Sequence, residues 1–289
     1  VFVRCDSCGS IFQTLSQEEF DQLHVEVFSD ESFVDGVTDA LGAQPDRRTW
    51  GELEPLLPGS SYLEIGPGSG HLLAAAHESG REVAAVESSP VHRDFIRRIW
   101  GLDAVHPSLS SLPPDARFDG IVAMNTLEHI YSIGPFLDDI CARLSPQGGF
   151  VLSTVNPAAM SAKLVRTYWS MCKPPDHVSF PSAAGLRAAS AAAGLSVDRI
   201  WYGELPLETP LSVLVAARDF LRHHAPRIPG VDRDDGRPAG SPASPGAGLG
   251  SRAMGLVFKY GRGVDPTSWA LSKLHMATMI KARLVRAEP

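Results

Sequence analysis

Ser60-Ser61-Tyr62-Leu63-Glu64-Ile65-Gly66-Pro67-Gly68-Ser69-Gly70-His71-Leu72-Leu73 decides how the rest of the chain is read. Tyr62, Leu63 and Ile65 make an apolar run of strand length, and three glycines at alternate positions end it. The Ala-rich segment 71–78 then predicts a helix. Strand, glycine turn and helix start together form a ligand cradle. Glycine lets the backbone come close to a ligand, and the first turn of a helix offers unpaired N–H groups. The third glycine of a dinucleotide fingerprint would fall at position 71, where this chain has His71, and that tells against NAD or FAD. Glu64, two residues before Gly66, brings a carboxylate to the strand end, better suited to an ammonium group than to a pyrophosphate.

With 289 residues the chain holds one substantial core plus an appendage, or two small domains. A net charge of −7 gives no general pull towards nucleic acid or an anionic membrane, so no nucleic-acid partner is expected. No apolar run approaches the roughly 20 residues that span a bilayer, and no signal-peptide pattern is visible. Cys141 and Cys172 stand alone, so the four cysteines do not make a disulfide framework. A reducing, cytoplasmic setting is expected.

Outward from the glycine turn, Glu82-Val83-Ala84-Ala85-Val86-Glu87 reads as a second strand ending in a carboxylate. Ser88-Ser89-Pro90 opens a helix over 91–100, with serine as cap and proline in the first turn. At that strand end Glu87 can accept both hydroxyls of a ribose; otherwise it is a surface acid on a loop. A short strand at 104–106 and a polar loop at 108–112 follow. Phe118-Asp119-Gly120-Ile121-Val122-Ala123-Met124 reads as a fourth strand running into the polar turn Asn125-Thr126-Leu127-Glu128-His129-Ile130. By itself Glu128-His129 is also what a helix start looks like. A helix over 136–144, stopped by Ser145-Pro146-Gln147-Gly148-Gly149, precedes a fifth strand at 150–155. A helix at 183–193 and a sixth strand at 195–202 come after. This alternation predicts a parallel sheet with right-handed crossovers.

Taken in this order over 61–202, the glycine motif, the F-D…L-E-H segment and the L-S-P-x-G-G turn resemble the class I S-adenosylmethionine (SAM)-dependent methyltransferases. The resemblance implies an α/β, doubly wound, Rossmann-like sheet of seven strands. It would be mostly parallel with the last strand antiparallel, and helices would cover both faces. It implies that SAM is held by Glu64, Gly66, Pro67, Gly68, Gly70, Glu87, Ser88, the loop at Ser108 and Leu109, and the Asn125 strand end with Glu128. Relatives often carry aspartate where this chain has Ser108, so a hydrogen bond to the adenine amino group would lack charge assistance. The implied activity is methyl transfer to a small-molecule acceptor, with O-, N- and C-methylation all open. A non-catalytic SAM-binding scaffold and a nicotinamide oxidoreductase are the alternatives. His177 and His129 are candidate bases, since neutral imidazole can take a proton near pH 7; either could instead be structural. Tyr168, Trp169 and Asp176 lie on segments expected to roof the acceptor pocket, with Asp176 or a neighbour fixing the tautomer of His177.

Near the start, Cys5-Asp6-Ser7-Cys8-Gly9 is a C-x-x-C-G knuckle. Cys5 and Cys8 can hold one side of a tetrahedral zinc, but a closed site needs four ligands. Residues 1–14 with Ser16-Gln17-Glu18-Glu19-Phe20 resemble the second half of the zinc-ribbon leader of some methyltransferases. By that resemblance zinc belongs to a longer form of the chain, and two free thiols are the alternative. The expected organisation is a partial leader at 1–20, N-terminal helices within 21–58 (28–41 and 47–56), and a methyltransferase domain at 59–289. Within that domain, 204–224 reads as an apolar helical insertion. The Pro-, Gly-, Ser- and Asp-rich stretch 225–251 reads as a mobile loop. In the basic tail, 277–286 is expected to be the seventh strand, with a continuing helix as the competing reading. Oligomeric state is left open.

Overall fold

The computed structural model describes residues 2–28, 43–165, 169, 171–172, 176–203 and 273–287, the side chains of 23–28 excepted. β1 (Phe2–Arg4) and β2 (Ile11–Gln13) form an antiparallel hairpin around the cysteine knuckle, followed by α1 (Gln17–Phe28). α2 (Arg47–Leu53) starts where the Asp46 carboxylate accepts the Thr49 N–H, and a 3-10 turn, Glu54–Leu56, leads into β3 (Ser61–Ile65). α3 (His71–Glu78), β4 (Glu82–Val86), α4 (Pro90–Trp100), β5 (Val105–His106) and β6 (Phe118–Met124) then alternate. α5 (Ile133–Arg143), β7 (Leu144–Val155), α6 (Met160–Val165) and β8 (Ser179–Phe180) follow. α7 (Ala183–Ala192), β9 (Leu195–Gly203) and β10 (Met279–Arg286) complete the described chain.

The main sheet has seven strands in the order β5-β4-β3-β6-β7-β10-β9. β3 to β7 run parallel, and β10 lies antiparallel between β7 and β9. This is the expected doubly wound sheet with a reversed strand, and 279–286 is strand rather than helix. Side-chain alternation explains why it is covered on both faces. Leu63 and Ile65, Ile121 and Ala123, and Phe150 and Leu152 enter one core with α5 and α7 residues such as Ile140 and Leu186. Tyr62, Val122 and Val151 point the other way, into a core shared with Trp50 of α2 and Leu72 of α3. Glu64 therefore belongs to the second face, an apolar environment for a carboxyl group.

Two local devices fix the strand ends. The Asp119 carboxylate accepts the N–H groups of Ser60 and Ser61 at 3.0 and 3.2 Å, and the Ser61 hydroxyl accepts the Asp119 N–H at 2.9 Å, so β6 holds the start of β3. The second device departs from the expected stop at 145–149. β7 begins at Leu144, opposite Phe118, and regains register at Gly149 opposite Gly120. Ser145-Pro146-Gln147-Gly148 is thus an excursion within the strand, as proline requires, since it cannot donate to a ladder.

The leader is paired into the structure. β2 pairs antiparallel with β8, making a three-stranded sheet β1-β2-β8. Phe2 and Ile11 pack there against a small core of Val155, Ala159, Trp169, Phe180 and Met279. Among the described residues no helix is long and apolar enough to cross a membrane. The helix expected at 28–41 (beyond Phe28), the insertion at 204–224, the loop at 225–251 and Tyr168 lie outside the described residues.

Candidate functional site

The carboxyl ends of β3, β4 and β6 meet where the strand order turns back, and a cavity of about 310 Å³ opens there. Open parallel sheets bind ligands at such a switch point. Ile65, Gly66 and Gly68 form one wall, and Val86, Glu87, Ser88 and His92 a second. Pro107, Asn125, Thr126, His129 and Ile130 close the rest.

The three glycines serve different ends, although all have positive φ: 66° at Gly66, 54° at Gly68 and 75° at Gly70. A Cβ on Gly66 would come within 2.9 Å of Thr126 Oγ1, and one on Gly70 within 2.8 Å of Ile96 on α4. A Cβ on Gly68 would meet no protein atom within 4 Å, so this glycine keeps open the space a ligand would fill. Glu87 holds the same turn. Its carboxylate accepts the Gly68 N–H at 3.0 Å and the Ser89 N–H at 2.8 Å, with His92 Nδ1 3.8 Å away. The side chain is buried yet lines the cavity.

Glu64 sits one residue behind that wall. It is only 3% exposed, and Oε2 has no hydrogen bond of normal geometry among the described residues. Burial pushes its pKa from 4.5 up to about 8; the nearby Tyr62 hydroxyl eases the charge, while Asp46 and Glu87 oppose it. An orphaned buried carboxyl beside a glycine turn suits a ligand that brings positive charge. On the opposite wall Asn125 has φ 53°, a conformation that few non-glycine residues adopt. Ser153 holds it there: Asn125 N–H donates to the Ser153 carbonyl at 3.0 Å, and the Ser153 hydroxyl donates to Asn125 Oδ1 at 2.9 Å.

Of the residues expected to hold a cofactor, Gly66, Gly68, Glu87, Ser88 and Asn125 line the cavity; Glu64, Pro67, Gly70, Ser108, Leu109 and Glu128 do not. Ser108 Oγ lies 2.9 Å from Ser110 Oγ at the start of the 3-10 turn Leu109–Ser111, Leu109 packs against the core, and Pro107 stands at the wall instead. Sequence reasoning missed Thr126, which donates to the Ile65 carbonyl at 3.1 Å, and His92. The position of His92 in the first turn of α4, facing the strand-end acid, was a signal that could have found it.

The expected catalytic residues form a cluster at one end of the cavity. Glu128 is buried, and its Oε2 accepts the Thr154 hydroxyl at 2.9 Å. Burial raises its pKa, against the pull of His129. His129 lines the cavity; its Nδ1 lies 2.8 Å from Asp176 Oδ1 and 3.0 Å from the Asp176 carbonyl. Burial lowers the imidazole pKa, but Asp176 and Glu128 outweigh it and leave the group above its ordinary 6.5. His177 does not line the cavity. It is buried, its Nδ1 is 2.7 Å from the Met171 carbonyl, and its ring stands 4.8 Å from that of His129. Asp176 therefore meets His129 more closely than His177, whose Nε2 is 3.7 Å from Oδ2. Glu128, His129 and His177 each present a ligand atom within 4.8 Å of the others. Thr154 engages Oε2 of Glu128, and the Asp176 and Met171 carbonyls engage Nδ1 of His129 and His177. Trp169 is buried against Phe180, 5.8 Å between ring centres, and supports the small sheet rather than the cavity.

The knuckle lies elsewhere. The Gly9 N–H donates to the Cys5 carbonyl at 2.8 Å, and Cys8 Sγ is 3.2 Å from Ser10 Oγ, whose hydrogen bonds lower the Cys8 pKa. Among the described residues no third ligand joins Cys5 and Cys8.

A reversed seventh strand beside a cradle of glycine turn and strand-end carboxylate defines a Rossmann-like fold that binds an adenosyl group. The chain belongs to the class I SAM-dependent methyltransferases, the family described as "Methyltransferase domain" matching residues 39–200. It is 29% identical over 117 residues to the mitochondrial ubiquinone biosynthesis O-methyltransferase of Schizosaccharomyces pombe, covering 38% of this chain and 43% of that protein. It is 32% identical over 107 residues to the ubiquinone biosynthesis O-methyltransferase of Bradyrhizobium diazoefficiens, covering 35% of this chain and 42% of that protein. The chain thus spans less than half the length of these curated relatives. A chain of the solved complex of the Haloferax volcanii Trm112 methyltransferase activator superposes with a TM-score of 0.51 at 16% identity. That superposition covers 94% of this chain and 98% of the other, a likeness of fold alone.

Proposed function

We propose that the protein binds SAM in this cavity and transfers its methyl group to a small-molecule acceptor. The observation that carries the reading is Gly68, open towards the cavity and tied through its N–H to Glu87. The residues fit the group: Glu87 and Ser88 would hold the ribose hydroxyls, Glu64 would neutralise positive charge, and Gly66, Gly68 and Asn125 would shape the methionine end. When bound, SAM supplies a methyl group made electrophilic by its sulfonium. The chain's own part is to exclude water, to hold the acceptor in line at about 3–3.5 Å, and to accept any proton the acceptor gives up. The names of the relatives favour a hydroxyl acceptor. The net charge of −7 and four cysteines without a disulfide support a partner other than nucleic acid and a cytoplasmic setting.

Calorimetric titration with SAM, S-adenosylhomocysteine and NADH tests the cofactor. The first two should bind and NADH should not; binding of NADH alone would overturn the reading. Transfer of label from [methyl-14C]SAM into a small-molecule extract tests activity, and binding without transfer would favour a SAM-binding scaffold.

A further inference from the structure

Resting on methyl transfer as the reading of the cavity, we propose that His129 takes a proton from the acceptor and that Asp176 positions it for that task. Sequence order alone would pair Asp176 with its neighbour His177. The fold pairs it with His129, at 2.8 Å through the carboxylate and 3.0 Å through the carbonyl of the same residue. The carbonyl can only accept, so Nδ1 carries the hydrogen and Nε2 the lone pair; the carboxylate Oδ1 stands beside Nδ1 as a charge partner, out of line for a hydrogen bond with it. His129 is also the histidine of this cluster that lines the cavity, whereas His177 lies behind it with Nδ1 on the Met171 carbonyl.

The charged and titratable groups around His129 favour taking up a proton. Glu128 precedes it, Asp176 abuts Nδ1, and His177 meets its ring at 75°. Across the cavity stand Glu87 and His92. The carboxylates outweigh burial and hold the imidazole above its ordinary range, so the imidazolium that follows proton transfer is stabilised where it forms. In the step, the acceptor's O–H bond breaks and its proton moves to Nε2. The oxygen's electron pair makes the new bond to the methyl carbon, and the electrons of the broken carbon–sulfur bond stay on sulfur. The proton then leaves His129 for solvent. Asp176 does not line the cavity and acts through His129, as a positioning residue.

The test uses the full chain saturated with S-adenosylhomocysteine. Histidine Cε1–H resonances are followed against pH and assigned through His129→Gln. The expected result is a His129 midpoint above 6.5 with hydrogen on Nδ1 in the neutral form. In Asp176→Asn that midpoint should fall by about one unit, and Asp176→Glu should restore part of it. A midpoint unmoved by Asp176→Asn, or hydrogen on Nε2, would overturn the pairing. In parallel, label from [methyl-14C]SAM is followed into a small-molecule extract. His129→Gln should lose roughly 10²–10⁴-fold of the transfer while its affinity for S-adenosylhomocysteine stays within about threefold. Equal labelling by His129→Gln would overturn the base alone. A wild-type chain that binds S-adenosylhomocysteine yet labels nothing would overturn methyl transfer, and the base with it. Loss of labelling in EDTA with recovery on added Mg²⁺ would also overturn the proposal, since a cation would then activate the acceptor instead.

Discussion

Replacing Glu64 by glutamine keeps the side chain's shape and removes its titration. In the ligand-free fold burial lifts the Glu64 pKa to about 8 from an ordinary 4.5. The folded chain holds a proton that the unfolded chain releases, so this group's contribution to stability is greatest below pH 4.5 and is lost as pH rises towards 8. At about 1.36 kcal/mol per pH unit, the loss reaches roughly 3 kcal/mol at pH 7. Glu64→Gln escapes it, less about 1 kcal/mol for an amide that also lacks a full set of partners. At roughly 2–4 °C per kcal/mol for a chain of this size, the variant should melt about 4–8 °C above wild type at pH 7 and close to it at pH 5. Scanning calorimetry of both ligand-free proteins from pH 5 to pH 8 measures this, and the difference between them cancels every other titrating group. SAM should offset most or all of the variant's advantage of about 2 kcal/mol, because its positive charge favours the ionised carboxylate. By calorimetric titration the variant should bind it about 1.5–3 kcal/mol more weakly. Parallel melting curves for the two ligand-free proteins across the range would refute a buried, protonated Glu64.

Gly68→Val should abolish SAM binding by calorimetry, because its Cβ enters open cavity space; at φ 54° the β-branched side chain also adds about 1–2 kcal/mol of backbone strain, which should lower the melting temperature while the circular dichroism of the folded chain stays near wild type. Glu87→Ala removes the acceptor of the Gly68 and Ser89 N–H groups as well as the expected ribose contact; SAM should weaken by about 1.5–3 kcal/mol, and an unchanged affinity would take Glu87 out of the site. For Asp119, burial raises the pKa, but the Ser61 and Ser60 N–H groups outweigh it and hold the carboxyl below 3.8. Its stabilising contribution is therefore present above pH 3.8 and lost as pH falls further, and Asp119→Asn should flatten the acid limb of a stability-against-pH curve. Ile121→Ala, at a fully buried position of β6, should cost about 2–5 kcal/mol in urea unfolding with no change in the SAM-binding stoichiometry.

The sheet was legible because its information is local. Tyr62 to Ile65 and Ile121 to Ala123 carry their strand assignment in their own composition, and the glycines mark where β3 must stop. The reversed strand was harder, since the apolar positions of 279–286 satisfy both a strand and a helix until β7 and β9 are present on either side. In the site, residues recruited by their own motif were readable: Gly66, Gly68, Glu87, Asn125. Residues recruited by tertiary placement were not. Thr126 matters because it meets the Ile65 carbonyl, and His92 because α4 turns it towards Glu87. Asp176 misled because adjacent side chains project in different directions, so a sequence neighbour is a poor guide to a partner. The Ser108 expectation came from the family, and here its hydroxyl lies 2.9 Å from Ser110 Oγ while Pro107 lines the cavity.

The pairing of β2 with β8 makes the first residues part of a continuous line to the active-site wall. The Gln13 N–H donates to the Val178 carbonyl at 2.8 Å, and the Val178 N–H donates to the Glu128 carbonyl at 2.8 Å. On the other side of the knuckle, the Ser182 hydroxyl donates to the Cys8 carbonyl and the Ser182 N–H to Ser10 Oγ, so the cap of α7 is built partly from the leader. A tag fused into the knuckle, or a chain cut before Ser16, would leave Val178 and Ser182 short of partners one and two steps from His129 and Asp176. The leader is thus a lever whose far end is the acceptor wall, and amide exchange at Gln13 and Val178 would be expected to slow or quicken together.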